Sequence, residues 1–158
     1  MASAAKTKDF ATSILRYFGG GEPLPAIGNC YIGLLSTIPS DPLKNLGDPP
    51  YSGAEIGACE VLPGAYRVTL ENGTLLTNIT EDTGTNSMQI TNNGGEISWP
   101  LAPTNFNVSG YCICTDEFST ASEKYLAYEL FDGTNKGRTI IAGDSIKINA
   151  NGLVIKEK

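Results

Sequence analysis

The chain has 158 residues, a formal net charge of -6 and no histidine. A protein this acidic is repelled by phosphate backbones, so we expect no nucleic-acid partner. Without histidine, Ser-His-Asp and Cys-His catalysis cannot operate within this chain, and no other motif selects a catalytic residue or a cofactor. We therefore expect no enzymatic activity and no bound cofactor, and the length predicts a single domain over residues 1–158.

The N-terminal segment is predicted to form one amphipathic helix over residues 4–18, with Ser3 as its N-cap. Its apolar side chains recur at the spacing of one helical face: Phe10, Ile14, Tyr17 and Phe18. The glycines at 19–21 end the helix and act as a hinge, so residues 1–21 form one unit and residues 22–158 the rest. This segment has no apolar run typical of a secretory signal, and no apolar run in the chain approaches the roughly 18 residues of a membrane span.

Beyond residue 21 the chain is rich in Gly, Asn, Thr, Ser and Pro, and its apolar runs become short. Short β-prone segments separated by turn residues lie at 30–35, 65–70, 87–91, 96–99, 108–115, 125–131, 146–148 and 153–155. Seven to nine strands at this spacing predict an all-β class, specifically an antiparallel, jelly-roll-like β-sandwich preceded by the single helix.

Period-two alternation predicts which side chains of the later strands face the core. The expected core face consists of Leu126, Tyr128, Leu130, Ile146, Ile148, Leu153 and Ile155. Trp99 is the lone tryptophan, and we interpret it as a core residue, with a sugar-stacking surface site as the alternative.

The four cysteines are Cys30, Cys59, Cys112 and Cys114. Cys112 and Cys114 are two residues apart on a predicted strand, so both sulfurs point to one face. A four-thiolate zinc site and a disulfide are the alternatives, but CxxC pairs and histidine are absent. We expect free thiols that behave as small hydrophobic groups, and no metal site.

The stretch from Ser40 to Tyr51 is predicted to be an exposed loop, because it is rich in proline and glycine. Such a loop costs little to order on binding. Together with the apolar helix stripe, it supplies the candidate subunit-contact residues, which from this loop are Pro42, Leu43, Leu46, Pro49, Pro50 and Tyr51.

Six segments in a fixed order carry a further signal. They are Tyr17–Gly20, Cys30–Pro39 (CYIGLLSTIP), Glu60–Val68 (EVLPGAYRV), Ile97–Ala102 (ISWPLA), Tyr125–Leu130 (YLAYEL) and Ile141–Ile155 (IAGDSIKINANGLVI). In this order they resemble a family of small bacteriophage virion proteins, described as tail-fibre-like or as capsid decoration. The chain departs from that pattern in three places. GAYRV replaces GYARV, Asn105, Phe106 and Asn107 replace a Trp-Gly pair, and the insertion from Leu70 to Gln89 is polar.

The resemblance implies a structural protein of the virion surface or tail, made in the cytoplasm of the host bacterium. Its expected partners are other capsid or tail subunits, including copies of itself, with a trimer as one arrangement. A carbohydrate-binding or receptor-binding module at a tail tip, contacting a host surface glycan, is the alternative. A glycosidase that uses two carboxylates is a third hypothesis, but no motif selects a pair.

Overall fold

The computed structural model describes residues 5–21, 23, 30–38, 51–70, 77–84, 87–115, 125–131 and 137–157. Within these ranges the protein is mostly β, all strand pairs are antiparallel, and a helix lies near the N-terminus. The prediction of an antiparallel β protein with an N-terminal helix is confirmed at this level.

The described part of the chain contains two helices and twelve strands. The helices are α1 (Lys8–Gly20) and α2 (Gly53–Gly57). The first six strands are β1 (Ala5–Lys6), β2 (Cys30–Leu35), β3 (Val68–Leu70), β4 (Thr77–Asp82), β5 (Ser87–Thr91) and β6 (Ile97–Ser98). The last six are β7 (Phe106–Val108), β8 (Gly110–Cys114), β9 (Tyr125–Leu130), β10 (Arg138–Ile140), β11 (Lys147–Ile148) and β12 (Val154–Glu157).

The described strands form four sheets. The largest has five strands in the order β1-β9-β8-β2-β3, and we call it the central sheet. The others are the pairs β10-β7 and β11-β6 and the three-stranded sheet β12-β5-β4. The strands are therefore divided among small, separate sheets, whereas a jelly-roll has two larger ones; the finer prediction of a jelly-roll-like sandwich stays a prediction.

The central sheet is covered on both faces. Its apolar face carries side chains such as Ile32, Leu34 and Ile113, which pack with Trp99 and Leu153 from other parts of the chain. Its opposite face, which we call the α2 face, carries Leu35, Cys112, Cys114, Tyr125 and Tyr128, and these pack with Ile56 of α2. Burial on both faces explains why β2 and β8 are apolar runs that do not alternate with polar residues.

The predicted single core face is wrong for Tyr128, because a β-bulge interrupts β9. Ile113 pairs with Ala127 and Cys114 with Tyr125, so Leu126 is the extra residue. Leu126 packs on the apolar face, whereas Tyr128 belongs to the α2 face. A bulge shifts the alternation by one residue, which a strict period of two cannot anticipate.

Four of the other residues predicted for the core face do pack with the apolar cluster. Ile148 and Leu153 are buried in the apolar cluster, and Ile146 and Ile155 are half-buried against it. Leu130 is half-buried at the end of β9 and is not among the residues that pack in the apolar cluster, so the prediction is not confirmed for it.

The helix begins later than predicted, because Ala5 and Lys6 pair with β9 at the edge of the central sheet. Thr7 is the N-cap, and its hydroxyl accepts a hydrogen bond from the Phe10 amide; Ser3, the predicted cap, lies outside the described residues. The helix continues through Gly20 and ends at Gly21, whose φ of 68° lies in the left-handed region that glycine favours.

Several strand predictions are confirmed and others need correction. The strands at 30–35 and 87–91 are confirmed, and Trp99 is a core residue, only 4% exposed. The predicted strand at 108–115 instead divides at Ser109, which separates the last residue of β7 from the whole of β8. The sequence patterns missed β1, β4, β10 and the single-turn helix α2, since two- to six-residue elements carry little periodicity.

Candidate functional site

The start of α1 is held by hydrogen bonds to two separate segments. The buried Thr7 donates its amide proton to the Leu126 carbonyl at 2.8 Å and its hydroxyl proton to the Tyr125 carbonyl at 2.6 Å. The Lys8 amide donates to the Tyr51 carbonyl, and the Asp9 carboxylate accepts from the Gly53 amide at 2.5 Å. The first turn of the helix is therefore fixed on the rest of the protein.

The far end of α1 presents apolar side chains to solvent. Leu15 is 71% exposed and Phe18 is 78% exposed, and Tyr17 packs edge-on against Phe18. We call these three residues the helix tip. Of the predicted stripe, Phe10 packs against the apolar core and Ile14 is half-buried. The stripe therefore divides into a packed half, Phe10 and Ile14, and an exposed half, Tyr17 and Phe18.

The candidate contact loop is described only at its last residue. Pro42, Leu43, Leu46, Pro49 and Pro50 lie outside the described residues. Tyr51 is half-buried on its own chain, where its ring lies 6.0 Å from that of Tyr128 and its amide donates to the Tyr128 hydroxyl.

A second group of side chains forms a buried polar cluster on the α2 face. Arg67 donates two hydrogen bonds to the Glu60 carboxylate, from Nε at 2.7 Å and from Nη2 at 2.8 Å, and both side chains are fully buried. Tyr125 donates its hydroxyl proton to the same carboxylate at 2.5 Å and accepts a hydrogen bond from Arg67 at 3.0 Å. A bidentate pair with an added hydroxyl satisfies the groups that burial would otherwise penalise.

Local structure explains why Glu60 and Arg67 meet. Glu60 forms a bridge to Leu35 beside the end of β2, and Arg67 directly precedes β3, which pairs with the start of β2. Gly33 lies between these two contacts, and a Cβ there would be 2.5 Å from Glu60 Oε1. The absence of a side chain at Gly33 is therefore what gives the carboxylate its space.

Cys112 and Cys114 lie beside this carboxylate and are completely buried. Their sulfurs are 3.8 Å apart on one face of β8, as the spacing predicted. One oxygen of Glu60 and the two sulfurs all lie within 4.8 Å of one another. Cys30 and Cys59 are half-buried, and none of the four cysteines forms a disulfide in the structure.

The environment of the cluster shifts its protonation equilibria. The contact with Cys114, followed by burial, raises the pKa of the Cys112 thiol well above its usual value. Burial, and then the hydrogen bond to Glu60, raises the pKa of Tyr125. Burial alone would lower the pKa of Arg67, but its bonds to Glu60 outweigh that effect and raise it. Tyr125 and Arg67 therefore stay protonated at neutral pH, and Arg67 is a permanent cation.

Glu129 places a buried carboxylate on the apolar face. Tyr111 donates its hydroxyl proton to Glu129 Oε2 at 2.7 Å, while Oε1 is buried with no hydrogen-bond partner among the described residues. Burial raises the pKa of Glu129. An orphaned oxygen in an apolar setting favours the protonated carboxyl, because a proton neutralises the charge.

A cavity of about 550 Å³ opens near the end of β9. Phe131 supplies an aromatic wall, and Arg138, Lys147, Ser109 and Ser145 supply polar groups. Lys147 is engaged with Glu96 at 3.1 Å. Trp99, the sequence-based candidate for sugar stacking, does not line this cavity and is buried elsewhere.

Sequence reasoning did not single out Glu60, Arg67 or Tyr125 as interacting partners. Glu60 and Arg67 lie seven residues apart within the GAYRV-containing segment, and Tyr125 comes 58 residues after Arg67. All three residues belong to two of the six ordered segments, but that order does not predict which residues touch.

No protein-family model matches this sequence, and no curated protein matches it. The described residues thus define an antiparallel β protein with a helix tip and a buried ion pair. Neither helix of the described part is long and apolar enough to cross a membrane.

Proposed function

We propose that this chain is a structural subunit of a bacteriophage particle, at its surface or on its tail, and that it binds other subunits and catalyses no reaction. The helix tip carries the proposal. Leu15 and Phe18 are more than two thirds exposed at the end of a helix whose first turn is hydrogen-bonded in place. A fixed apolar surface loses little conformational entropy on binding, which favours its use as a contact.

The energetics of burial support an assembly role for the helix tip. Covering a large apolar side chain contributes roughly 1.5–3 kcal/mol. Leu15 and Phe18 together offer a contact of useful strength to another coat or tail subunit. Repetition around a symmetry axis would multiply that contact, as in a homo-oligomer such as a trimer. The ordered segments that resemble phage virion proteins support the same assignment, with synthesis in the host cytoplasm followed by incorporation into the virion.

The finer architecture belongs to the same proposal. The main core cluster joins side chains of the central sheet, such as Leu34, to Ile97 of β6, Val108 of β7 and Ile148 of β11. Two β layers packed around one core are what a jelly-roll-like sandwich requires. We propose that the small sheets together form its second layer.

The decisive experiment compares the full chain with a Leu15→Ser/Phe18→Ser variant. Arg16→Ser is the matched control, because Arg16 is also exposed and lies between the two changed positions. Mass in solution and incorporation into purified phage particles are the measurements. We expect the double variant to keep its circular dichroism and melting midpoint but to lose mass or incorporation, while the control behaves as the unchanged chain. Normal assembly of the double variant, or particles that never contain the chain, would overturn the proposal.

A receptor-binding role is the second candidate, and the cavity beside Phe131 favours it. An aromatic wall with nearby hydroxyl and guanidinium groups is suited to a sugar. Binding of the isolated chain to a glycan array, lost in Phe131→Ala and kept in Phe18→Ser, would support this role. If the isolated chain binds no glycan on the array, the receptor-binding role is wrong.

A further inference from the structure

We propose that Cys112, Cys114 and Glu60 bind a zinc-like divalent cation on the α2 face of the central sheet. The site combines two sulfur ligands from one strand with a carboxylate oxygen from a separate segment. It differs from the four-thiolate arrangement considered from the sequence, and it is independent of the proposed function.

The separation of the two sulfurs fits a tetrahedral ion. Two thiolates, each about 2.3 Å from a tetrahedral zinc ion, lie about 3.8 Å apart. The sulfurs of Cys112 and Cys114 are 3.8 Å apart in this structure. The carboxylate oxygen within 4.8 Å of both sulfurs reaches a third tetrahedral position with a small side-chain adjustment, and a water molecule completes the fourth.

The surroundings of Glu60 favour its use as a ligand. Arg67 and Tyr125 hold the carboxylate from one side by hydrogen bonds of 2.5–2.8 Å. Oε2 accepts two of these bonds, whereas Oε1 accepts one and so retains a lone pair for an ion. Partners of this kind orient a metal ligand and are a regular part of metal sites. Gly33 keeps the side of the carboxylate nearest Cys112 clear of any side chain.

The charges balance with and without the ion. In the metal-free protein, the carboxylate of Glu60 offsets the cation of Arg67 in a buried ion pair. Binding of a divalent cation releases one proton from each thiol, so two positive charges leave as two arrive. The buried cluster therefore keeps a net charge of zero, which removes the main electrostatic cost of placing an ion there.

Cobalt(II) is the probe, since thiolate ligation to it gives intense near-ultraviolet charge-transfer absorption. The full chain is refolded from denaturant with a phosphine reductant, with and without Co²⁺, because all the ligands are buried. We expect one equivalent to bind, with charge-transfer absorption that Zn²⁺ displaces. Glu60→Gln should weaken binding at least tenfold but retain the absorption.

The matched control is Cys30→Ser, which removes a half-buried thiol that packs against the opposite, apolar face. It should bind cobalt as the unchanged chain does, whereas Cys112→Ser/Cys114→Ser should show no charge-transfer band. X-ray absorption of the unchanged, zinc-loaded chain decides the matter if that double variant fails to fold. Two sulfur and two oxygen or nitrogen ligands would support the site; no bound zinc, no sulfur, or four sulfur ligands would overturn it.

Discussion

The two faces of the central sheet are both buried, yet they are stabilised by different chemistry. The apolar face packs Ile32, Leu34 and Ile113 into the large cluster around Trp99. The α2 face has a smaller apolar cluster and places the Glu60–Arg67 ion pair among its cysteines. Polar groups on the apolar face are exceptions, such as Glu129 with its orphaned oxygen.

This difference shows that burial by itself does not determine how a side chain contributes to stability. On the apolar face, stability follows from area removed from water and from close packing. On the α2 face, the ion pair contributes little net stability as a unit, but the loss of either partner leaves a buried charge without compensation. The two faces should therefore respond differently to substitution.

The largest expected effect is on the α2 face. Arg67→Met should lower the free energy of unfolding by about 3–5 kcal/mol, because it leaves Glu60 charged and buried. Urea unfolding of metal-free protein measures this loss.

The double variant Glu60→Gln/Arg67→Met is the control for that prediction. It should be more stable than Arg67→Met alone, since no charge remains buried and Tyr125 can still donate to the residue at position 60. A double variant that is less stable than the single one would show that the ion pair acts through packing alone.

On the apolar face, Leu34→Ala should cost about 2–5 kcal/mol, from lost burial and from the cavity that remains. Leu35→Ala is the matched comparison, because Leu35 is equally buried but packs on the α2 face. We expect the larger loss at Leu34, as the surrounding strands cannot collapse into the gap as readily as the single turn of α2. Urea unfolding that gives the larger loss at Leu35 would contradict the comparison.

A smaller effect is expected from added volume beside the ion pair. Gly33→Ala should destabilise by about 1–3 kcal/mol, since its Cβ would press on Glu60 Oε1 and on the Cys112 sulfur. Gly19→Ala is the control: nothing lies within 4 Å of its Cβ, and alanine favours an exposed helix. The melting temperature should fall for Gly33→Ala and rise for Gly19→Ala. An unchanged melting temperature for Gly33→Ala would show that Glu60 has room to move.

The smallest effect concerns pH and the buried carboxyl of Glu129 on the apolar face. The pKa of Glu129 is raised in the folded state, so the native protein holds this proton more tightly than the unfolded chain does. The stability from this group is full below the unfolded pKa and is lost as pH rises through the folded pKa. Glu129→Gln should therefore gain stability over the unchanged chain as pH rises, up to a plateau.

Unfolding free energies of both proteins, measured from about pH 4 to about pH 8, test this, since the other carboxyl groups cancel in the difference. A difference that stays constant across this range would mean that folding does not raise the pKa of Glu129.

Much of the secondary structure was predictable because its signals are local. Cys30–Leu35 and Ser87–Thr91 were identified from β-prone side chains between turn residues. The apolar spacing of Phe10 and Ile14 indicated a helix, and the spacing of Cys112 and Cys114 placed both sulfurs on one face. The start of α1 was not predictable in the same way, since pairing of Ala5 and Lys6 with β9 takes precedence over an N-cap at Ser3.

The sequence by itself thus determined the β character, the helix and the alternation within short strands, all of which depend on neighbours a few residues apart. Only the tertiary structure decided the bulge at Leu126, which turns Tyr128 to the α2 face, and the meeting of Glu60 with Tyr125 across 65 positions. It also decided that, within the α1 stripe, Phe10 packs against the apolar core whereas Phe18 is exposed. The physical reason is that these features depend on which distant segments pair and how much space a residue such as Gly33 leaves, and no local pattern encodes either.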